Sequence, residues 1–525
     1  MRAGMMKKNT LEKTIEVTAS IAGAKSFACA ASIAAVLLSG CNVGPKYVKP
    51  TAPAPPEFKE SSPTAYNNAP ASGVWQPAQP QDAKLKGKWW EVFNEPELNA
   101  LEDQLDINNQ NIAVSFQNFM AARAQVSEAK SQFYPTASVG PSYSRVKTPA
   151  ALHGAAASGA AGVTSSELAL PFDVSWEPDL WGKIRNTVRE FQYAAQVSAA
   201  DLENERLTEQ ADLAETYFEL RGEDSLQDLF DKTVAADQKS LDLTKALRDT
   251  GIDNDEEVAE AEVTLENAQE TATGIAQNRA IFEHAIAMLI GKPASSFSMP
   301  VKGLTTPVPP IPVGVPSQLL ERRPDIAGAE RTMAEANAVI GIEKAAYYPT
   351  LSLTGSGGLE SSAIGSLFSA PALFWSAGAS ASETIFDAGL RKATVAQFTA
   401  AYNGDVASYR QTVLGAFQQV EDFIATLRVT STQIQQEDTA VQSAQRFVDI
   451  AQSRYDTGLD PYLDVITAQT TLLSDQQTQI TLRVSEMTAA VELVQALGGG
   501  WDTTQLPAAE KITNAAVVKQ VAGTP

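Results

Sequence analysis

Ala338-Val339-Ile340-Gly341-Ile342-Glu343-Lys344-Ala345-Ala346-Tyr347-Tyr348-Pro349-Thr350 echoes Ala124-Gln125-Val126-Ser127-Glu128-Ala129-Lys130-Ser131-Gln132-Phe133-Tyr134-Pro135-Thr136, 214 residues earlier. A second pair, Asp249-Thr250-Gly251-Ile252-Asp253 and Asp456-Thr457-Gly458-Leu459-Asp460, lies 207 residues apart, as do Gly182 and Gly389. The chain is therefore one unit written twice. The second copy is shorter between its Tyr-Pro landmark and Gly389. Insertions gather in loops, so an exposed loop is expected in the first copy around Ala155-Ala156-Ala157-Ser158-Gly159-Ala160-Ala161-Gly162.

Each unit reads as helix, β-hairpin, helix, turn, helix. Alternation marks the hairpins. Ala137, Val139, Pro141 and Tyr143 alternate with Thr136, Ser138, Gly140, Ser142 and Ser144. On the return strand Leu168, Leu170, Phe172, Val174 and Trp176 share one face, and Glu167, Asp173, Ser175 and Glu177 the other. The second copy repeats the pattern with Leu351 and Leu353, then Trp375, Ala377, Ala379 and Ala381 against Ser376, Gly378, Ser380 and Ser382. Runs of about ten residues suit a tilted membrane strand. A soluble sandwich edge has the same pattern, but counting separates the two. One chain offers four such strands, whereas membrane barrels start at about eight, and an open strand edge cannot face lipid. Spanning requires several chains to pool their strands.

The helices are long. From Tyr462 to Leu497 there is neither Pro nor Gly, roughly 54 Å at 1.5 Å per residue. Leu463, Ile466, Thr470, Leu473, Gln477, Ile480, Val484, Met487, Val491 and Val494 alternate spacings of three and four, the seam of a left-handed coiled coil. The stretches onward from Lys183 and from Leu390 are similar in composition. Gly251 and Gly458 mark the hairpin tips, because glycine tolerates the left-handed conformation that ends a helix. Six residues beyond each stands an acid, Glu257 and Asp464. In an oligomer these acids form rings of negative charge; equally, they complement the helix dipole.

Composition excludes several function classes. The net charge of −22 repels phosphate backbones, so nucleic acid is not a partner. The only cysteines, Cys29 and Cys41, precede the body, and His153 and His284 read as solvated or structural. Ser-His-Asp, Cys-His and zinc chemistry thus lack raw material, and Gly291-Lys292 lacks the upstream glycine of a phosphate loop. An enzyme is not expected, and neither is a cofactor. Residues 1–40 read as a lipoprotein signal peptide: basic residues, a short apolar run after Lys25, then Leu38-Ser39-Gly40-Cys41, a lipobox in which Cys41 takes the acyl chains. Asn42 stands where Asp would favour inner-membrane retention. Residues 41–88 read as an acylated, extended tether, 89–300 as the first repeat, 301–501 as the second, and 502–525 as a disordered tail.

Five motifs are similar to those of TolC/OprM-type outer-membrane efflux lipoproteins: Cys41-Asn42-Val43-Gly44-Pro45-Lys46-Tyr47, Trp89-Trp90-Glu91-Val92-Phe93, Glu321-Arg322-Arg323-Pro324-Asp325-Ile326, Arg454-Tyr455-Asp456-Thr457-Gly458 and Leu497-Gly498-Gly499-Gly500-Trp501. The resemblance implies a mixed α and β fold, a long α-helical coiled-coil barrel plus a transmembrane β-barrel shared between protomers of a homotrimer. It implies an exit duct for small amphiphilic compounds, joined by a periplasmic adaptor to an inner-membrane transporter of RND type. By the same resemblance Asp464, Glu257 and Leu463 form the periplasmic gate. Arg248, Thr250, Gly251, Arg454, Tyr455, Thr457 and Gly458 form the adaptor-contact tips. Thr467 departs from the family, where a second Asp is common, which shifts the acidic constriction toward Asp460 and Asp255. The rival readings are a duct for protein secretion and a periplasmic adaptor lipoprotein; duplicated strand pairs speak against the second.

Overall fold

The computed structural model describes residues 42–52, 54–60, 87–149, 163–251, 254–311 and 316–521. The signal peptide, Cys41 and the loop expected at Ala155–Gly162 lie outside them. Two copies of one plan follow in order. The first has α1 (Pro96–Asn108), α2 (Gln110–Ser131), β1 (Thr136–Val139), β2 (Ser142–Thr148), β3 (Val163–Trp176), α3 (Lys183–Asp249) and α4 (Asp255–Leu289). The second has α5 (Pro324–Ala345), β4 (Thr350–Ser361), β5 (Leu373–Ser382), α6 (Leu390–Asp456) and α7 (Tyr462–Ala496). Corresponding helices match in length: 22 residues in α2 and α5, 67 in α3 and α6, 35 in α4 and α7. No helix among the described residues is long and apolar enough to cross a membrane.

All strands join one antiparallel sheet in the order β1-β3-β4-β5, with β2 also on β3. β1 and β2 are one strand interrupted. The register runs from Val139↔Phe172 to Ser142↔Ala169 without a slip, but Pro141 and Pro171 offer no amide donor to the ladder there.

The sequence repeats are not the compact units. One unit comprises Met1–Lys49, Ala122–Ala195 and Thr332–Asp405; the other comprises Pro50–Ala121, Gln196–Arg331 and Val406–Pro525. Each takes part of both copies, so the boundary expected near residue 300 divides the sequence and not the structure. The physical reason is the sheet: β3 of the first copy pairs with β4 of the second from Leu168↔Ser361 to Trp176↔Leu353, since two separate hairpins would expose two further edges.

In the second unit three of the quoted motifs meet. A Cβ on Gly498 (φ +92°) would stand 2.2 Å from the Arg322 carbonyl oxygen, and one on Gly499 (φ +58°) 2.6 Å from Leu207 and 3.2 Å from Trp89. Arg323 forks onto Asp325 and donates to the Ala496 carbonyl at 2.9 Å. Nearby, buried Arg221 lies 4.8 Å over the Tyr217 ring and donates to Asp224 and the Pro300 carbonyl. Asp224 also accepts from Arg279 at 2.6 Å, so Arg221, Asp224 and Arg279 pair with one another, as burial requires.

Three expectations change. The tail is ordered to Val521, with single turns Thr503–Gln505 and Ala509–Lys511 and helix α8 (Ala515–Val521). Ile512 is fully buried, and Gln196 donates to the Pro507 carbonyl at 2.6 Å; docking a few apolar residues on an existing surface leaves no periodic signal. The tether is docked in its described part: Phe58 is 1 % exposed, and the amides of Lys59 and Glu60 donate to the Glu421 carboxylate. The coiled-coil seam holds at Met487, Val491 and Val494, but near the tip Tyr462, Val465 and Ala468 are buried and Leu463 is 53 % exposed. A straight helix drifts about 20° per heptad against a 3.5-residue repeat. Over three heptads that drift, roughly 60°, brings Val465 rather than Ile466 onto the buried face.

Candidate functional site

The sheet has two chemically distinct faces. The register aligns Val139 with Phe172, Tyr143 with Leu168, Leu170 with Leu359, Trp176 with Leu353, and these in turn with Leu373 and Ala379. Because side chains alternate along a strand, all lie on one face, with Trp375 and Ala377. The apolar band on β3, Leu168 to Trp176, spans roughly 27 Å before tilt. Beyond it the same face turns polar at Arg145 and Lys147. The opposite face carries Thr136, Ser138, Ser142, Ser144, Glu167, Asp173, Ser175, Ser352, Thr354, Ser356, Ser376 and Ser380, with Val146 and Phe374 as large apolar exceptions. Apolar positions are open: Phe172 is 51 % exposed and Trp375 80 %. Among the described residues both outer strands, β1–β2 and β5, present unpaired edges.

At the tips the two hairpins share a core. Leu241, Val258, Ala261, Leu265, Ala451, Tyr455, Tyr462, Val465 and Ala468 pack together, drawing on α3, α4, α6 and α7. Tyr455, expected at the adaptor-contact surface, belongs to this core: it is 9 % exposed and its ring centroid lies 5.3 Å from that of Tyr462. Its place on α6, one turn before the exposed tip, turns it inward. The other tip residues are outward or at the turn. Gly251 (φ +76°) and Gly458 (φ +71°) adopt the left-handed conformation with nothing close to an added Cβ, so the demand there is conformational. Thr250 and Thr457 bond back to the last carbonyls of α3 and α6. Arg248 forks onto Asp249.

The gate residues separate. Leu463 and Leu459 are exposed apolar groups, 53 % and 70 %. Glu257 and Asp464 occupy the same position, the third residue of their helices, but do different work. Asn254 caps α4, and the Glu257 carboxylate accepts from the Asn254 amide at 3.2 Å in a reciprocal capping box. At α7 the cap is Pro461, which has no amide hydrogen to give. The Asp464 carboxylate is exposed and accepts no hydrogen bond among the described residues. Asp460, considered as a shifted constriction, is held by Arg454 through two hydrogen bonds, one of 2.8 Å, and the guanidinium keeps its carboxyl below the usual range. That pairing, across the turn from position 454 to 460, was missed in the sequence although opposite charges flank Gly458. Asp255 is 93 % exposed at the side chain, and the Thr467 hydroxyl bonds back to the Leu463 carbonyl.

Carboxylates also gather along the helices. Burial, and then Glu492, Asp212 and Glu219, push Glu215 up to about 8. Burial, with Glu190 and Asp405, pushes Glu335 up to about 7. Asp237, behind the tip core, is pushed up to about 6 by burial. Sequence reading passed these over because acids on a helix face usually point to water.

Residues 101–292 and 315–499 match the family model described as outer membrane efflux protein. The probable efflux pump outer membrane protein TtgC of Pseudomonas putida is 30 % identical over 473 residues, 90 % of this chain and 95 % of that protein. The outer membrane protein OprJ of Pseudomonas aeruginosa is 28 % identical over 487 residues, 91 % and 96 % respectively. Among solved structures, the outer-membrane channel OprN superposes with a TM-score of 0.78 at 26 % identity, covering 88 % of this chain and all of the other. The open strand edges, the two-faced sheet and these likenesses agree: the chain belongs to the outer membrane efflux protein family.

Proposed function

We propose that three copies of this chain pool their strands into one outer-membrane barrel, continued into the periplasm by their paired helices. The assembly serves as the passive exit duct of a tripartite efflux pump. The observation that carries the reading is the sheet: apolar on one face, rich in Ser and Thr on the other, open at both edges. Four strands per chain make twelve in a trimer, an even number within the bacterial range. The apolar face meets lipid, the hydroxyl-rich face lines water, and β1–β2 of one protomer meets β5 of the next. A periplasmic adaptor docks on Arg248, Thr250, Gly251, Arg454, Thr457 and Gly458, and an RND-type inner-membrane transporter drives the cargo. Asp464, with Leu463 beside it, lines the aperture. Cys41 bears the lipid. No bond is made or broken in transport; opening is a two-state change biased by adaptor binding.

Native mass and single-channel recording of the detergent-solubilised protein test this together. Phe172→Arg, facing lipid at mid-band, costs about 2–4 kcal/mol of insertion and lowers trimer yield. Ser356→Arg on the water-lined face leaves yield intact and changes conductance. A monomer without pore activity, or equal behaviour of the two arginines, overturns the reading.

A further inference from the structure

Asn42 to Pro45, which follow Cys41, are fastened to the body of the protein. The Val43 amide donates to the Trp181 carbonyl at 3.2 Å. The Asn42 side-chain oxygen accepts from the Gly44 amide at 3.1 Å and from Asn186 Nδ2 at 3.0 Å. Asn337 Nδ2 donates to the Pro45 carbonyl at 3.1 Å. Packing is equally close. A Cβ on Gly44 would stand 2.8 Å from Gly341 Cα, one on Gly341 2.6 Å from Asn186 Nδ2, and one on Gly182 2.8 Å from the Asn42 oxygen. A Cβ at any of the three would therefore displace a partner: the Gly341 backbone at Gly44, and the side chains of Asn186 and Asn42, which form the Asn42–Asn186 bond, at Gly341 and Gly182. Trp181, Gly182 and Asn186 belong to the first copy, Asn337 and Gly341 to the second.

The place matters as much as the fit. This is where all the strands meet their helices, and the adjoining residues form an exposed aromatic and apolar collar. Tyr134 precedes β1 and is 71 % exposed; Ile385 and Phe386 follow β5 and are 95 % and 85 % exposed. Trp181, after β3, stacks on Tyr348, before β4, at 4.8 Å. Exposed aromatic rings next to membrane strands sit at the boundary of a bilayer.

The geometry points to a lipid-anchor clasp: Asn42, Gly44 and Pro45 bridge the two copies and fix the acyl-bearing Cys41 at the helix-side rim of the sheet. This rests on Cys41 being the acylated residue. The acyl chains then enter the lipid leaflet beside the collar at a set position, and the anchor locks the two copies together at the membrane boundary. A flexible tether does neither.

Trypsin cleavage after exposed Lys46, measured on the full-length protein in detergent with mass spectrometry of the Cys41 peptide, tests it. Cleavage follows the population of the opened segment. The Lys46–Tyr47 bond of the unaltered protein resists. Gly341→Val, which forces the clasp apart, is cut at least tenfold faster. Asn42→Ala, which adds no bulk and keeps the test sound where the valine variant fails to fold, is cut severalfold faster. Cleavage of the unaltered protein as fast as of both variants, with acyl mass present on Cys41, overturns the clasp alone. A Cys41 peptide without acyl mass overturns the reading of the anchor, whatever the protection.

Discussion

Asp464 and Glu257 stand at equivalent places in the two copies, and the structure predicts unequal consequences of neutralising them. Glu257 completes the capping box of α4, and losing its one hydrogen bond to the Asn254 amide costs about 1 kcal/mol, a roughly fivefold shift in any opening equilibrium of that helix start. Asp464 has no cap to complete, because Pro461 lacks the amide. Its carboxylate makes no cap bond, so beyond complementing the start of α7 and the Arg454 charge it is left to act on ions. In water a unit charge pair at ~4 Å is worth ~1 kcal/mol, doubled for a divalent ion, and physiological salt screens roughly half of that. Asp464→Asn should thus weaken Mg2+ block of single channels in planar bilayers by about fivefold per aspartate engaged, with thermal stability unchanged. Glu257→Gln keeps an acceptor for the Asn254 amide and reports charge without the cap; Glu257→Ala removes both. We expect the alanine variant to open more often and the glutamine variant to do so far less. If Asp464→Asn leaves conductance and block untouched, Asp464 does not line the aperture. Equal opening of Glu257→Gln and Glu257→Ala would show that the cap has no part in gating.

Two further outcomes follow from the helical part of the chain. Gly498→Ala combines a positive φ with a Cβ 2.2 Å from the Arg322 carbonyl, a backbone obstacle that cannot rotate away, and should destabilise by about 3 kcal/mol or more, read as a lower melting temperature and loss of folded protein. Glu215, whose carboxyl is raised to about 8 chiefly by burial, favours the folded state when protonated; its contribution is full below its ordinary value near 4.5 and is lost as pH rises through about 8. Glu215→Gln should therefore raise the melting temperature at pH 9 and leave it nearly unchanged at pH 5, and a gain of equal size at both pH values would refute the burial argument.

Alternation made the strands and their two faces legible, because a period of two along Leu168 to Trp176 has one structural meaning whichever partner the strand finds. The pairing of β3 with β4 was not legible, since nothing in either hairpin states that the copies will share a sheet. The tips were legible as turns, through Gly251 and Gly458, but side-chain direction was not. Tyr455 lies one turn before the exposed residues and points into the core, and a strict heptad carried to Leu463 ignores the drift of a straight helix. Asn254-Asp255-Glu256-Glu257 did contain the capping box, an Asn followed by Glu three residues on; reading Glu257 as a ring charge passed over it. Phe58 and Ile512 were invisible because a single apolar residue in a polar stretch docks without leaving a pattern.

The motifs that identify the family and the residues that conduct are largely different residues. Trp89, Arg322, Arg323, Gly498 and Gly499 meet at one joint where a Cβ on either glycine would clash and Arg323 bonds to the Ala496 carbonyl, which ties their identities to packing. Asn42, Gly44 and Gly341 do the same at the rim of the sheet. The wall of the sheet needs only hydroxyls on one face and apolar groups on the other, a demand many residue sets meet. At the tips, Pro461 in place of an asparagine cap leaves Asp464 without a structural duty that its counterpart Glu257 performs. Duplication thus supplied two equal scaffolds, and divergence at one cap left one copy's acid to hold a helix start and the other's without that bond. The charge at position 464 can therefore change without removing a capping hydrogen bond from its helix, which position 257 does not permit.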